Sequence, residues 1–191
     1  ILVFIIKDFG LTTAEAGNLT LATTIGMWIG SYIFGLLADK YGRTKILSFS
    51  IILFAVATFL MYFVDNYTVL LILRFIIGLG IGGEFGIGMA IVTETWAPDM
   101  RARATSWVAL GWQGGVLLAA VIPAIIEPMF GWRAVFLVGL VPALIAIYVR
   151  MHLKEPILWQ RKKQRQQELI AKKENGTITE KEQKEYYYLA G

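Results

Sequence analysis

The side chains that could do chemistry in this chain fall into two groups. The first lies inside the stretch 70–93, LLILRFIIGLGIGGEFGIGMAIVT, where Arg74 and Glu84 are the charged residues of an otherwise apolar run. That run is long enough to cross a bilayer, and a charge within it costs about 2.5 kcal/mol or more. Such charges need protein or water around them, and an acid or base at that depth marks an ion or substrate path. If the stretch is helical, Arg74 and Glu84 stand about 15 Å apart along the axis and roughly 80° apart around it. At 100° per residue, Gly78, Gly82, Gly86 and Ala90 form a ridge on the other side, a small-xxx-small repeat against which another helix can pack closely.

The second group, Asp39, Arg43, Glu94 and Arg101, lies just beyond the ends of apolar runs. Other chemistry finds little support. The chain has no cysteine and one histidine, His152 past the last apolar run, so disulfides and a metal constellation are excluded. No nucleophile–base pair is apparent either, so we do not expect an enzyme, and we expect no bound cofactor.

The elements that must position these residues are membrane helices. Of 191 residues 57% are hydrophobic and only 17% charged, a balance that points to lipid as the solvent. The net charge of +4 does not argue for nucleic acid, because the lysines and arginines sit beside the ends of apolar runs and in the tail. We read ILVFII at 1–6 as the end of a first helix whose start is missing. Thr12 with Glu15 forms a capping box for a second helix, and the span 17–38 follows with Gly26, Gly30 and Gly35 available for close packing. A charged turn at 35–45 contains Gly42. A third span covers 46–64, residues 65–67 turn the chain, and the central stretch makes the fourth. TETWAPDMRARATS is read as a second charged turn stopped by Pro98, before a fifth span at about 107–126 and a sixth at about 134–149.

Beside these spans Lys40, Arg43, Lys45, Arg101, Arg103, Arg150 and Lys154 fall on one side, and Lys7 and Arg133 on the other. The positive-inside rule then puts the Asp39 turn, the Arg101 turn and the tail in the cytoplasm. Trp96, Trp107, Trp132 and Trp159 are expected in the interfacial aromatic belt, whereas Trp28 and Trp112 fall inside spans. Those two belong to a weak internal echo, GMWIG at 26–30 and GWQGG at 111–115, as in proteins built from two three-helix repeats. From residue 156 the chain is mostly polar: RKKQR at 161–165 reads as a lipid-surface patch, Asn175-Gly176 as a break, and Thr179 with Glu182 as the cap of a second short helix.

GLLADKYGRTK resembles the loop between the second and third helices of the major facilitator superfamily, matching G-x-L-x-D-x-x-G-R at Gly35, Leu37, Asp39, Gly42 and Arg43. The central stretch is similar to the superfamily's sugar-porter-type signature at Ile76, Gly78, Leu79, Gly82, Ile91, Glu94 and Arg101, with R-x-x-x-G at Arg74 and Gly78. GGE, T-E-x-W-x-P and GWR at 131–133 look most like its metabolite:proton symporters for organic anions, of lactate and sialate type. The G-P element usual in the fifth helix of its drug antiporters is absent. The resemblance implies an all-α, major facilitator-type six-helix transmembrane bundle, a 3+3 inverted repeat with its first helix truncated, over residues 1–155, and a cytoplasmic linker or tail over 156–191. It also implies a plasma-membrane carrier of a small organic anion that pairs with a missing C-terminal half and uses the proton as coupling ion. Glu84 and Arg74 are then candidates for proton and substrate, and Asp39, Arg43, Glu94 and Arg101 for the network that holds one conformation closed. An uncoupled facilitator, a sugar porter and a non-transporting sensor remain alternatives.

Overall fold

The structure, a computed structural model, describes residues 2–152, 156–175 and 177–190. Among them seven α-helices follow in order: α1 Leu2–Phe9, α2 Thr13–Tyr41, α3 Arg43–Leu60, α4 Tyr67–Thr95, α5 Arg101–Met151, α6 Ile157–Glu174 and α7 Glu180–Ala190. Four of the helical segments, including α5, are long and apolar enough to cross a membrane. The fold is an all-α helical membrane bundle, as the sequence predicts. Lys154, the junction at residue 155 and Gly176 lie outside the described residues.

The charged turns are shorter than the sequence predicts. Helix α2 opens on the expected capping box, with Thr12 N donating to Glu15 Oε2 at 2.8 Å and Glu15 N donating to Thr12 Oγ1 at 3.3 Å. It then runs through Asp39 to Tyr41, and α3 starts at Arg43, so the turn contracts to Gly42 at φ 120°, ψ 139°. A side chain at that φ would be strained, so glycine lets two helices meet at one residue. Helix α4 likewise runs through Glu94, and α5 starts at Arg101, leaving a turn of 96–100. Pro98 bars the helix from passing straight through, because it has no N–H and disfavours α backbone at Ala97. Gly131, at φ 77° and ψ 164°, breaks α5 into limbs 101–130 and 132–151, which are the fifth and sixth spans with longer ends than expected.

Helices α2 and α4 run parallel and α4 is the hub. Tyr67 Oη of α4 donates to the Glu15 carbonyl of α2 at 3.1 Å at one end, and at the other Glu94 of α4 pairs with Arg43, which opens α3 one residue beyond the end of α2. Between these points the backbones nearly meet. A Cβ added at Gly26 or Gly30 of α2 would lie 2.3 Å from Phe75 O or 2.1 Å from Leu79 O, and one at Gly78 or Gly82 of α4 would lie 2.1 Å from Thr23 O or 2.0 Å from Met27 O. Two G-x-x-x-G pairs therefore face each other. In lipid, where apolar side chains gain nothing by leaving water, such close backbone packing is what holds helices together. Gly80 does the same on a second face, against Ser50 O and Phe54 of α3, and Gly83 receives the Phe34 ring.

The predicted ridge is corrected at its end. Gly86 is exposed and a Cβ there would meet nothing within 4 Å. Gly35 also packs against nothing, and neither do Gly111, Gly114 and Gly115 of α5, so the echo between GMWIG and GWQGG does not extend to packing. Two apolar cores fill the bundle. One, at the Asp65 end, holds Ile5, Leu19, Met61, Leu70 and Trp132; the other, toward Asp39, holds Phe34, Leu47, Ile51 and Ile87.

Candidate functional site

At the Asp39 end, Arg43 is the centre of the predicted charge network. Its Nη2 lies 2.9 Å from Asp39 Oδ1 and 2.7 Å from Glu94 Oε1, tying the end of α2 and the start of α3 to the end of α4. Arg43 and Glu94 are mostly covered while Asp39 is half exposed. Arg43 Nε and Glu94 Oε2 are buried with no hydrogen-bond partner among the described residues. Each buried polar atom without a partner costs about 1–3 kcal/mol, which offsets much of what the ion pairs contribute. Arg101 does not join the cluster: Arg101 Nε donates to the Trp96 carbonyl at 3.2 Å, because α5 begins at Arg101 and this side chain braces the turn 96–100.

Near mid-span, Glu84 lines a cavity of about 440 Å³ with Phe85 and Gly88 of α4 and Gly111, Trp112 and Gly115 of the first limb of α5. The glycines that pack against nothing are what open this space. A second cavity, of about 620 Å³, lies beside it and is lined by Trp28 and Ser31 of α2, Phe85 of α4, and Trp112 and Gln113 of α5. Phe85 and Trp112 touch edge to face at 5.4 Å and form the wall between the two. Arg74 is on the same helix as Glu84 but outside both linings; its Nε is buried with no hydrogen-bond partner among the described residues. The structure thus gives Glu84 and Arg74 separate places, as their spacing along one helix requires.

Sequence reasoning missed a second charge cluster at the opposite end. Arg133 Nη2 lies 2.8 Å from Asp65 Oδ1 and donates to the Val64 carbonyl at 3.2 Å, while Nη1 lies 3.2 Å from Asp8 Oδ2. Trp132 Nε1 donates to the same Asp8 oxygen at 3.0 Å, and the Trp132 side chain is 6% exposed. One arginine therefore joins the end of α1, the turn before α4 and the break in α5. Trp132 is a core residue rather than the belt residue predicted, because Gly131 turns it inward. The signal available was GWR itself, an arginine on the side poor in basic residues.

The tail also differs from its reading. Trp159 Nε1 donates to the Asp39 carbonyl at 3.1 Å and Lys163 Nζ to the Lys40 carbonyl at 3.3 Å, so α6 caps the end of α2 with a cation where the helix dipole favours one. Trp159 is thus engaged with protein, and within RKKQR Lys163 and Arg165 have partners in the chain. Arg165 pairs with Glu185 at 3.0 Å, and Lys172 pairs with Glu182, closing α6 and α7 into a hairpin. The Lys172 ammonium, with Thr179, holds the Glu182 carboxyl down to about 2. Thr179 N and Glu182 Oε2, 3.1 Å apart, make the cap predicted for α7.

Charge clamps at both ends, a glycine seam between parallel helices and an acid beside a mid-span cavity define a multi-pass helical membrane protein of carrier architecture. The family model described as Major Facilitator Superfamily matches residues 1–183, and the chain belongs to that superfamily. The chain is 50% identical over 155 residues to the "Putative metabolite transport protein" of Haemophilus influenzae, covering 81% of this chain and 38% of that one. It is 32% identical over 160 residues to the sialic acid transporter NanX of Escherichia coli, covering 83% of this chain and 39% of that one. It therefore spans about two fifths of the length of these relatives. Among solved structures, the inward-open xylose transporter XylE of E. coli superposes with a TM-score of 0.71 at 19% identity, covering 92% of this chain and 45% of that one. At that identity the likeness is one of fold.

Proposed function

We propose that this chain is the N-terminal bundle of a proton-coupled carrier for a small organic anion, completed by a second bundle and placed in the plasma membrane with the Asp39 end and the tail in the cytoplasm. The observation that carries the proposal is Glu84, a carboxyl near the middle of an apolar span that lines an open, mostly apolar cavity. Desolvation favours the protonated acid, and water or a cation reaching the cavity favours the anion. A group whose surroundings alternate in this way loads a proton on one side and releases it on the other. Arg74 supplies the positive charge that attracts an anion toward the same helix. The sialic acid carrier among the relatives is named for an acid, which supports the substrate class. The Arg43 cluster holds the cytoplasmic end shut in one conformation and releases it in the other.

The test compares two fluxes in vesicles that hold the complete carrier. Glu84→Gln is expected to abolish accumulation driven by a pH gradient while sparing exchange without one, since the neutral amide mimics the loaded acid and cannot release a proton. A variant that still concentrates substrate as well as the parent removes Glu84 from the coupling role. A parent insensitive to the gradient points to the uncoupled facilitator.

A further inference from the structure

The cavity between α2 and α5 carries more information than its size. Trp28 lies close to the middle of α2 and is 78% exposed, and Trp112, at 45% exposed, lies near the middle of the first limb of α5. Indoles in a membrane protein ordinarily sit at the two interfaces, where one end is apolar and the N–H is wet. Here two of them flank one cavity of about 620 Å³ at mid-depth, together with the amide of Gln113; the Thr24 and Ser31 hydroxyls that also line it donate to the Thr20 and Trp28 carbonyls of their own helix. Lipid tails offer no partner to an amide or an indole N–H, so this face is arranged for an occupant that takes hydrogen bonds. Phe85 fixes the Trp112 ring edge to face at 5.4 Å, which holds the indole plane against rotation.

We propose that Trp28 and Trp112 are specificity-determining residues that select organic acids carrying a planar, conjugated ring or chain. This rests on the organic-acid reading above. A flat π system stacks on a fixed indole face, whereas a puckered ring of the same size meets the face with its axial hydrogens and cannot lie close. The Gln113 amide supplies the hydrogen-bond donor that an acid needs at its rim. The stacking preference is worth about tenfold in affinity, the scale of one aromatic pair in a site that excludes water.

Benzoate and cyclohexanecarboxylate test it, because they share the carboxylate and the ring size and differ in planarity. Calorimetric titration of each into the complete purified carrier is expected to give a preference for benzoate of about tenfold. Trp112→Leu and Trp28→Leu are each expected to reduce that preference toward one, while Trp112→Phe retains most of it. A variant that merely loosens the bundle would weaken both acids together and leave their ratio unchanged. A ratio that stays at its parental value in both Leu variants, or a parent without preference, overturns the assignment. A parent that binds neither acid overturns the organic-acid reading, and the assignment with it.

Discussion

Gly82→Ala is the sharpest test of how this bundle holds together, because Gly86→Ala makes the same change one turn along the same helix. The added methyl at Gly82 would sit 2.0 Å from the Met27 carbonyl oxygen, whereas ordinary contact begins at 3.4 Å. It needs about 1.4 Å more room, and the obstacle is backbone rather than a side chain that could swing aside. The room must come from α2 and α4 moving apart. A gap of ~0.5–1 Å already forfeits a quarter to a half of the dispersion well for the atoms along it. The seam includes Gly26, Gly30 and Gly78 as well, so the loss extends over more than one turn. Overpacking of this kind costs about 1–3 kcal/mol, against a gain of at most about 1 kcal/mol in helix propensity from replacing glycine. At Gly86 nothing lies within 4 Å, so only the gain applies. Denaturant unfolding of both variants in micelles is expected to separate them by the overpacking cost, about 1–3 kcal/mol, with Gly82→Ala below the parent and Gly86→Ala at or above it. Equal stabilities would refute the close approach of α2 and α4 as the source of cohesion.

Three further outcomes are expected. A cysteine replacing Ala102 should react with an impermeant reagent from the cytoplasmic face only, and one replacing Asn66 from the outside only; reversed labelling would overturn the orientation. Glu94→Gln should lower stability more than Asp39→Asn, since Glu94 is the more covered partner of Arg43, and denaturant midpoints for the two variants check the order. In the tail, the Glu182 carboxyl has a pKa depressed from 4.5 to about 2, so its contribution to the α6–α7 hairpin is complete above about 4.5 and is lost as pH falls through about 2. Spin labels at Gln167 and Lys181 should therefore keep their separation from pH 7 to 5 and spread only in stronger acid; spreading at pH 6 would contradict the role given to Glu182.

Much of this architecture was legible in the sequence, because lipid imposes a strict pattern. Long apolar runs, the box at Thr12 and Glu15, and the motif from Gly35 to Arg43 each specify a local structure that no distant contact overrides. The Arg43 cluster was legible as a group, and Arg101 was misplaced within it because the exact start of α5 decides which way that side chain reaches. The Gly78–Gly82 seam was legible from spacing, but Gly80 and Gly83 were not, since their partners Phe54 and Phe34 lie on helices whose rotation spacing alone does not reveal. Arg133 with Asp8 and Asp65 joins residues more than 60 positions apart in sequence and leaves no local signature. The same holds for Trp159 and Lys163, which reach back about 120 positions to α2.

The two ends of the bundle use the same device with different outcomes. At each, one arginine holds two carboxylates from different elements. At the Asp65 end Arg133 also donates to a backbone carbonyl and lies over the Trp132 ring at 4.6 Å, so its charge is engaged on several sides. At the Asp39 end Arg43 is the more buried of the two arginines, at 17% against 34% side-chain exposure, yet Arg43 Nε and Glu94 Oε2 go without partners among the described residues. Burial without full satisfaction makes a contact that water can compete for once a path opens, whereas a fully engaged, half-exposed cluster gains little by breaking. The Asp65 end therefore joins α1, the turn before α4 and the second limb of α5 through a fully engaged arginine, and the Asp39 end joins α2 and α3 to α4 through a less fully satisfied one. Between them the glycine seam keeps α2 and α4 from sliding. The first limb of α5 is exposed throughout 111–120, and its Trp112 borders the cavities that Glu84 and Trp28 line from α4 and α2.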